Sequence, residues 1–150
     1  SKTIGDLAGP MAFAILMGCS RAFYGKFGDR IDLDKFMIGS SILCIISYLC
    51  ISLAPSAFVS LIGCSVCGFS VGIMWPGSFS KASQALRRGG TSLFALLALA
   101  GDVGCSGGPT LVGFVSGILS DDLKKGILAG AIFPVLLLAG ILILRKRQSA

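Results

Sequence analysis

The chain contains no histidine, and only 13% of its 150 residues are charged. Without histidine there is no imidazole general base, no Ser-His or Cys-His nucleophile pair and no His-ligated metal. The Gly-x-x-x-x-Gly-Lys phosphate loop is missing too. Acids are scarce, seven in all, and the long apolar runs hold no pair of carboxylates for acid and base work. These absences argue against an enzyme. Cysteine occurs six times, at Cys19, Cys44, Cys50, Cys64, Cys67 and Cys105, always in an apolar stretch, so none reads as half of a secreted disulfide framework. Cys64 and Cys67 have Cys-x-x-Cys spacing but no second pair, and small buried packing is the usual role of free cysteine. Neither a metal nor a cofactor is expected. The opening Ser1 to Asp6 has no initiator methionine and no charged leader before a short apolar core. It does not read as a signal peptide, and the expectation is a fragment that starts in the loop before the first span of a larger protein.

What is abundant is apolar: 54% of residues are hydrophobic and the mean hydropathy is +0.88. A water-soluble domain of this length cannot hide that much apolar surface. Five segments of membrane-spanning length follow one another at about residues 7–24, 36–54, 57–79, 92–119 and 126–144. The turns between them leave no room for a soluble domain. The expected fold class is therefore an all-α integral membrane bundle of five transmembrane helices.

The net charge of +6 is sorted rather than spread, which excludes a nucleic-acid surface as its reason. Arg21, Lys26, Arg30, Lys35, Lys81, Arg87, Arg88, Arg145, Lys146 and Arg147 fall on one side of the alternating spans, and only Lys2, Lys124 and Lys125 on the other. Lysine and arginine accumulate on the cytoplasmic side of membrane proteins. This places the amino end outside and the carboxyl end inside a cell membrane.

Against that background the stretch Leu93 to Leu119 stands out, because it carries a single acid, Asp102, in the run Gly101-Asp102-Val103-Gly104-Cys105-Ser106-Gly107-Gly108-Pro109. Eleven residues beyond Thr91 at ~1.5 Å each, Asp102 sits roughly 16 Å deep in a hydrocarbon layer ~30 Å thick. That is the costliest depth for a charge, and ionisable groups there mark ion, proton or substrate paths. Leu99, Asp102, Ser106 and Pro109 share a helical face. A carboxyl and a hydroxyl could line a cavity together there, while Gly104 and Gly108, at small-xxx-small spacing, serve a packed face. Pro109 removes a backbone donor and invites a bend or an unwound turn.

Between the first two spans Arg21, Gly25, Asp29 and Arg30 form Arg-x-x-x-Gly-x-x-x-Asp-Arg, which resembles the loop signature of the major facilitator superfamily. The signature there reads Gly-x-x-x-Asp-Arg-x-Gly-Arg-Arg, and this chain departs from it after Arg30, with Asp32 and Asp34 in place of a glycine and a base. The resemblance covers the whole chain, five spans corresponding to helices eight to twelve of a twelve-helix fold. It implies that Asp29 and Arg30 belong to a charge network that clamps helix ends and switches during transport, without touching substrate. It also implies that the second span is a lipid-facing support.

The third span is rich in small residues, with Gly68 and Gly72 on one face, followed by Met74-Trp75-Pro76-Gly77. Pro76 should kink the helix or free a carbonyl. In outline this span and the next resemble the tenth and eleventh helices of fucose-permease-like sugar carriers. The resemblance makes Trp75, able to stack on a sugar ring or to stand in an interfacial aromatic belt, and Ser70 further candidates for the substrate path. The function implied is a secondary transporter working by alternating access on a small solute, a sugar among the possibilities. Protons are the candidate coupling ion, and the missing amino-terminal helices are the partners. A non-transporting scaffold or sensor is the alternative, but it leaves Asp102 without a role.

Overall fold

The computed structural model describes residues 2–150, and all regular structure among them is helical. The first helix, α1, runs Lys2–Phe27. Asp6 and Pro10 both lie inside it. A 3-10 turn, Gly28–Arg30, leads to α2, Leu33–Leu53, which Asp32 caps by accepting from the Asp34 N–H at 3.1 Å. Ser56 caps α3, Ala57–Val71, in the same way, accepting from Phe58 N–H at 3.3 Å.

The segment expected as one span at residues 57–79 is two helices, α3 and α4, the latter Met74–Ala85. Proline explains the break. Pro76 has no N–H to give the carbonyl of Gly72, four residues back, and its ring crowds that carbonyl. The last expected span divides likewise into α6, Leu123–Gly130, and α7, Ile132–Ser149, with Pro134 withholding a donor from Gly130. Between them α5, Gly90–Ile118, runs unbroken through Pro109, so the proline makes no unwound turn there. At its start Gly90 takes the left-handed region at φ +50°. Counted through their breaks, five helical stretches are long and apolar enough to cross a membrane.

The core lies around α2, which packs against α3 on one side and α6 and α7 on the other. The outer face of α2, Ile42, Ile46, Leu49 and Leu53, is exposed, as a lipid-facing helix requires, while its opposite face is part of the core. Its buried face is Met37, Ser40, Ser41, Cys44 and Ser47, repeating at helical spacing. Burying serine is cheap where the hydroxyl is satisfied within the helix, as at Ser41 and Ser47, whereas Ser52 Oγ is buried without a partner among the described residues. Ser41 donates to the Met37 carbonyl and Ser47 to that of Leu43, both at 2.8 Å. On the other flank of α3, Gly68 and Gly72 bring its backbone onto α1. A Cβ on Gly72 would stand 2.7 Å from the Met17 carbonyl oxygen, and one on Gly68 would run into the backbone of Phe13. The Cys-x-x-Cys residues face different neighbours: Cys64 Sγ lies 3.9 Å from the Gly9 carbonyl of α1, while Cys67 meets Cys44 of α2.

The polar turns gather at two ends. At one, the α1–α2 turn meets the ends of α4 and α7, joined by an ion pair between Asp34 and Lys81. At the other, Lys124 Nζ donates to the carbonyl of Ala54 at 2.7 Å, tying the α2–α3 turn to the start of α6.

Candidate functional site

Along α5, residues Asp102, Ser106 and Thr110 recur every fourth position and stack on one face. With Val103, Gly107, Leu111 and Phe114 they line a groove of about 720 Å³. Gly107 sets its depth, since the place between Val103 and Leu111 has no side chain. Thr110 donates its hydroxyl to the Ser106 carbonyl at 2.6 Å, which leaves its oxygen lone pairs to accept from whatever occupies the groove. Asp102 is exposed and has no ion pair among the described residues. The groove thus offers a carboxylate and two hydroxyls beside an aromatic ring, all from one helix.

No residue of α5 is buried. Its contacts run to α6 and, more thinly, α4. The close approach on α6 is made by Gly126, where a Cβ would stand 2.5 Å from the Val112 carbonyl oxygen. Gly104 and Gly108, expected on a packed face, have nothing within reach of a Cβ. Among the described residues they face open space. The contact with α4 is aromatic. Trp75 lays its ring over Gly101, next to Asp102, where a Cβ would meet Cη2 at 2.5 Å. It meets Phe79 edge-on with centroids 4.6 Å apart, and Phe79 stacks on Phe94 of α5 at 5.5 Å. Trp75 therefore stands against the site helix without lining the groove. Ser70 is elsewhere: it is 1% exposed and donates to the Cys67 carbonyl at 2.8 Å, within the core of the bundle.

Comparison with family models, with curated proteins and with solved structures finds no match.

The loop residues divide. Arg21 reaches back along the bundle, and its Nε donates to the Gly72 carbonyl at 3.2 Å, the one that Pro76 leaves without a helical donor. Arg21 and Pro76, far apart in sequence, thus meet at one broken backbone position. Gly25 and Asp29 line a polar cavity of about 680 Å³ with Asp32, Asp34 and Lys81. Asp29 and Arg30 have no salt-bridge partner among the described residues. The ion pair that joins helices at this end is Asp34–Lys81. Asp34 belongs to the very acids that depart from the loop signature, so the sequence reading passed over it.

Gly-x-Ser-x-Gly spacing occurs twice, at Gly68-Phe69-Ser70-Val71-Gly72 and Gly104-Cys105-Ser106-Gly107-Gly108, and in a nucleophile elbow it sits on a sharp strand-to-helix turn. Here both serines lie within helices, so neither is thrust out as a nucleophile.

Proposed function

We propose that the chain is part of a multi-pass membrane carrier that works by alternating access, with the α5 groove as one wall of its substrate path. The observation that carries this is Asp102 standing, with Ser106 and Thr110, on an uncovered face midway along an apolar helix. A carboxylate at that depth costs about 2.5–3.5 kcal/mol even on the lenient insertion scale. Such a cost is borne where a wet cavity or a polar partner awaits the group. The opposite wall is then supplied by further helices that pack over α5, and the two parts rock about the groove to expose it to each side in turn. Asp102 takes up a proton when the groove opens to one side and releases it to the other, coupling proton flow to the movement of a small hydroxylated or cationic solute. The break at Gly72–Ile73, latched by Arg21, supplies a point about which α4 and its Trp75 can shift against α5. The loop resemblance to the facilitator superfamily supports this reading, as does the sorting of basic residues to one end of the bundle.

The test needs no known substrate. In a cysteine-free background, Ser106→Cys should react with a membrane-impermeant thiol reagent from intact cells, from inside-out vesicles, or from both as the conformation alternates. A cysteine at Ser83 should react only from the cytoplasmic side and one at Leu123 only from outside. Silence of position 106 from both sides would mean that the groove is dry, and the carrier reading would fail.

A further inference from the structure

We propose that the cleft between α4 and α7 holds one acyl chain of an anionic phospholipid, with the headgroup phosphate between Arg145 and Arg147. This rests on the membrane reading above. The two helices both pack on α2 but scarcely on each other, and the space left between them is a cavity of about 320 Å³. Met37 forms its floor, Ala82 and Ala85 one wall, and Leu136, Gly140 and Leu144 the other. The α7 wall extends from Leu136 to Gln148, a rise of about 18 Å at ~1.5 Å per residue. That is close to half of the ~30 Å hydrocarbon layer, the depth of a single leaflet.

Charge selects the headgroup. The mouth of the cleft is at the basic end, with Lys81 and Gln148 on its rim. At 3.6 residues per turn, Arg145 and Arg147 fall on either side of the α7 lining face and Lys146 on the back of the helix. All three are exposed. The acid nearest the mouth, Asp34, is already paired with Lys81, and Asp29 and Asp32 lie beyond the Lys81–Gln148 wall in the neighbouring polar cavity. An apolar slot one leaflet deep with two arginines astride its mouth fits a lipid anion better than a free phosphate, which would leave the slot empty.

Native mass spectrometry of the whole chain, released from detergent with phosphatidylglycerol or phosphatidylcholine of the same acyl chains, tests this. One phosphatidylglycerol should be retained, preferred about twenty-five-fold over phosphatidylcholine, since each surface arginine contributes a factor of about five. The pair Arg145→Gln and Arg147→Gln should remove the preference, while Lys146→Gln should keep it. Gly140→Leu, at a position where an added Cβ meets nothing, should fill the slot and lower retention of both lipids. Equal loss in Lys146→Gln, no effect of Gly140→Leu, or displacement by millimolar inorganic phosphate would each overturn the proposal. A chain embedded in membranes that retains both lipids alike sinks this inference alone. A chain that alkaline carbonate washes off membranes sinks the membrane reading with it.

Discussion

Helices α3 and α5 are both apolar and both rich in glycine, yet they stand in opposite situations. The glycines of α3 are contact points: Gly63 faces Ile51 and Cys50 of α2, while Gly68 and Gly72 face the α1 backbone. Those of α5 are mostly empty, with nothing near a Cβ at Gly104, Gly107, Gly108, Gly113 or Gly117. Individual serines follow the same division: Ser41 of α2 and Ser70 of α3 are buried and bonded to their own helices, while Ser106 of α5 is exposed beside a carboxylate. The lesson is that small residues in an apolar helix mark a surface that must be approached closely, without saying by what. In α3 the approaching object is another helix of the same bundle. In α5 it lies outside the described contacts, and we assign it to further helices and a solute.

The largest expected effect comes from removing the charge that sets α5 apart. Asp102→Leu should favour membrane insertion of the isolated α5 segment by about 3–4 kcal/mol in a translocation assay. In the carrier we propose, Asp102→Asn should abolish proton-driven accumulation while solute exchange continues. If Asp102→Asn leaves both activities intact, Asp102 is a packing residue and the two helices differ less than we argue.

Next in size is the contact itself. Gly68→Val drives a side chain into the α1 backbone and should destabilise the bundle by about 3 kcal/mol, read as the shift in SDS-induced unfolding. Gly104→Val should fall within about 0.5 kcal/mol. Equal penalties for the two would show that α5 is covered after all.

A smaller effect is expected at the break between α3 and α4. Arg21→Leu strands the Gly72 carbonyl and should cost about 1.5 kcal/mol, as for a hydrogen bond from a charged donor. Pro76→Ala restores the helical donor, so the same Arg21 change should then cost less. If the cost is the same in both backgrounds, the link between Arg21 and Pro76 is coincidental.

The smallest concerns the ion pair at the basic end. A double-mutant cycle of Asp34→Asn and Lys81→Gln should give a coupling of about 1 kcal/mol, with Asp29→Asn uncoupled from Lys81. Coupling at Asp29 instead would restore the loop signature as the clamp.

The sequence by itself determined the helical class, the number of apolar stretches long enough to span a membrane and the sorting of charge to two ends. These follow from composition and spacing along one segment at a time, which is also why Asp102 beside Ser106 and the role of Pro76 in loosening the helix were legible. It could not tell which helix lies at the centre. In water burial is advertised by hydrophobicity, but in an apolar bundle the outward face is as hydrophobic as the inward one, so Met37, Cys44 and Ser47 of α2 gave no signal against a uniformly apolar background. Nor could it reveal that Arg21 serves the Gly72 carbonyl or that Asp34 pairs with Lys81. Those contacts join residues about fifty positions apart, and only the packing of α1 and α2 against α3 and α4 brings them within reach.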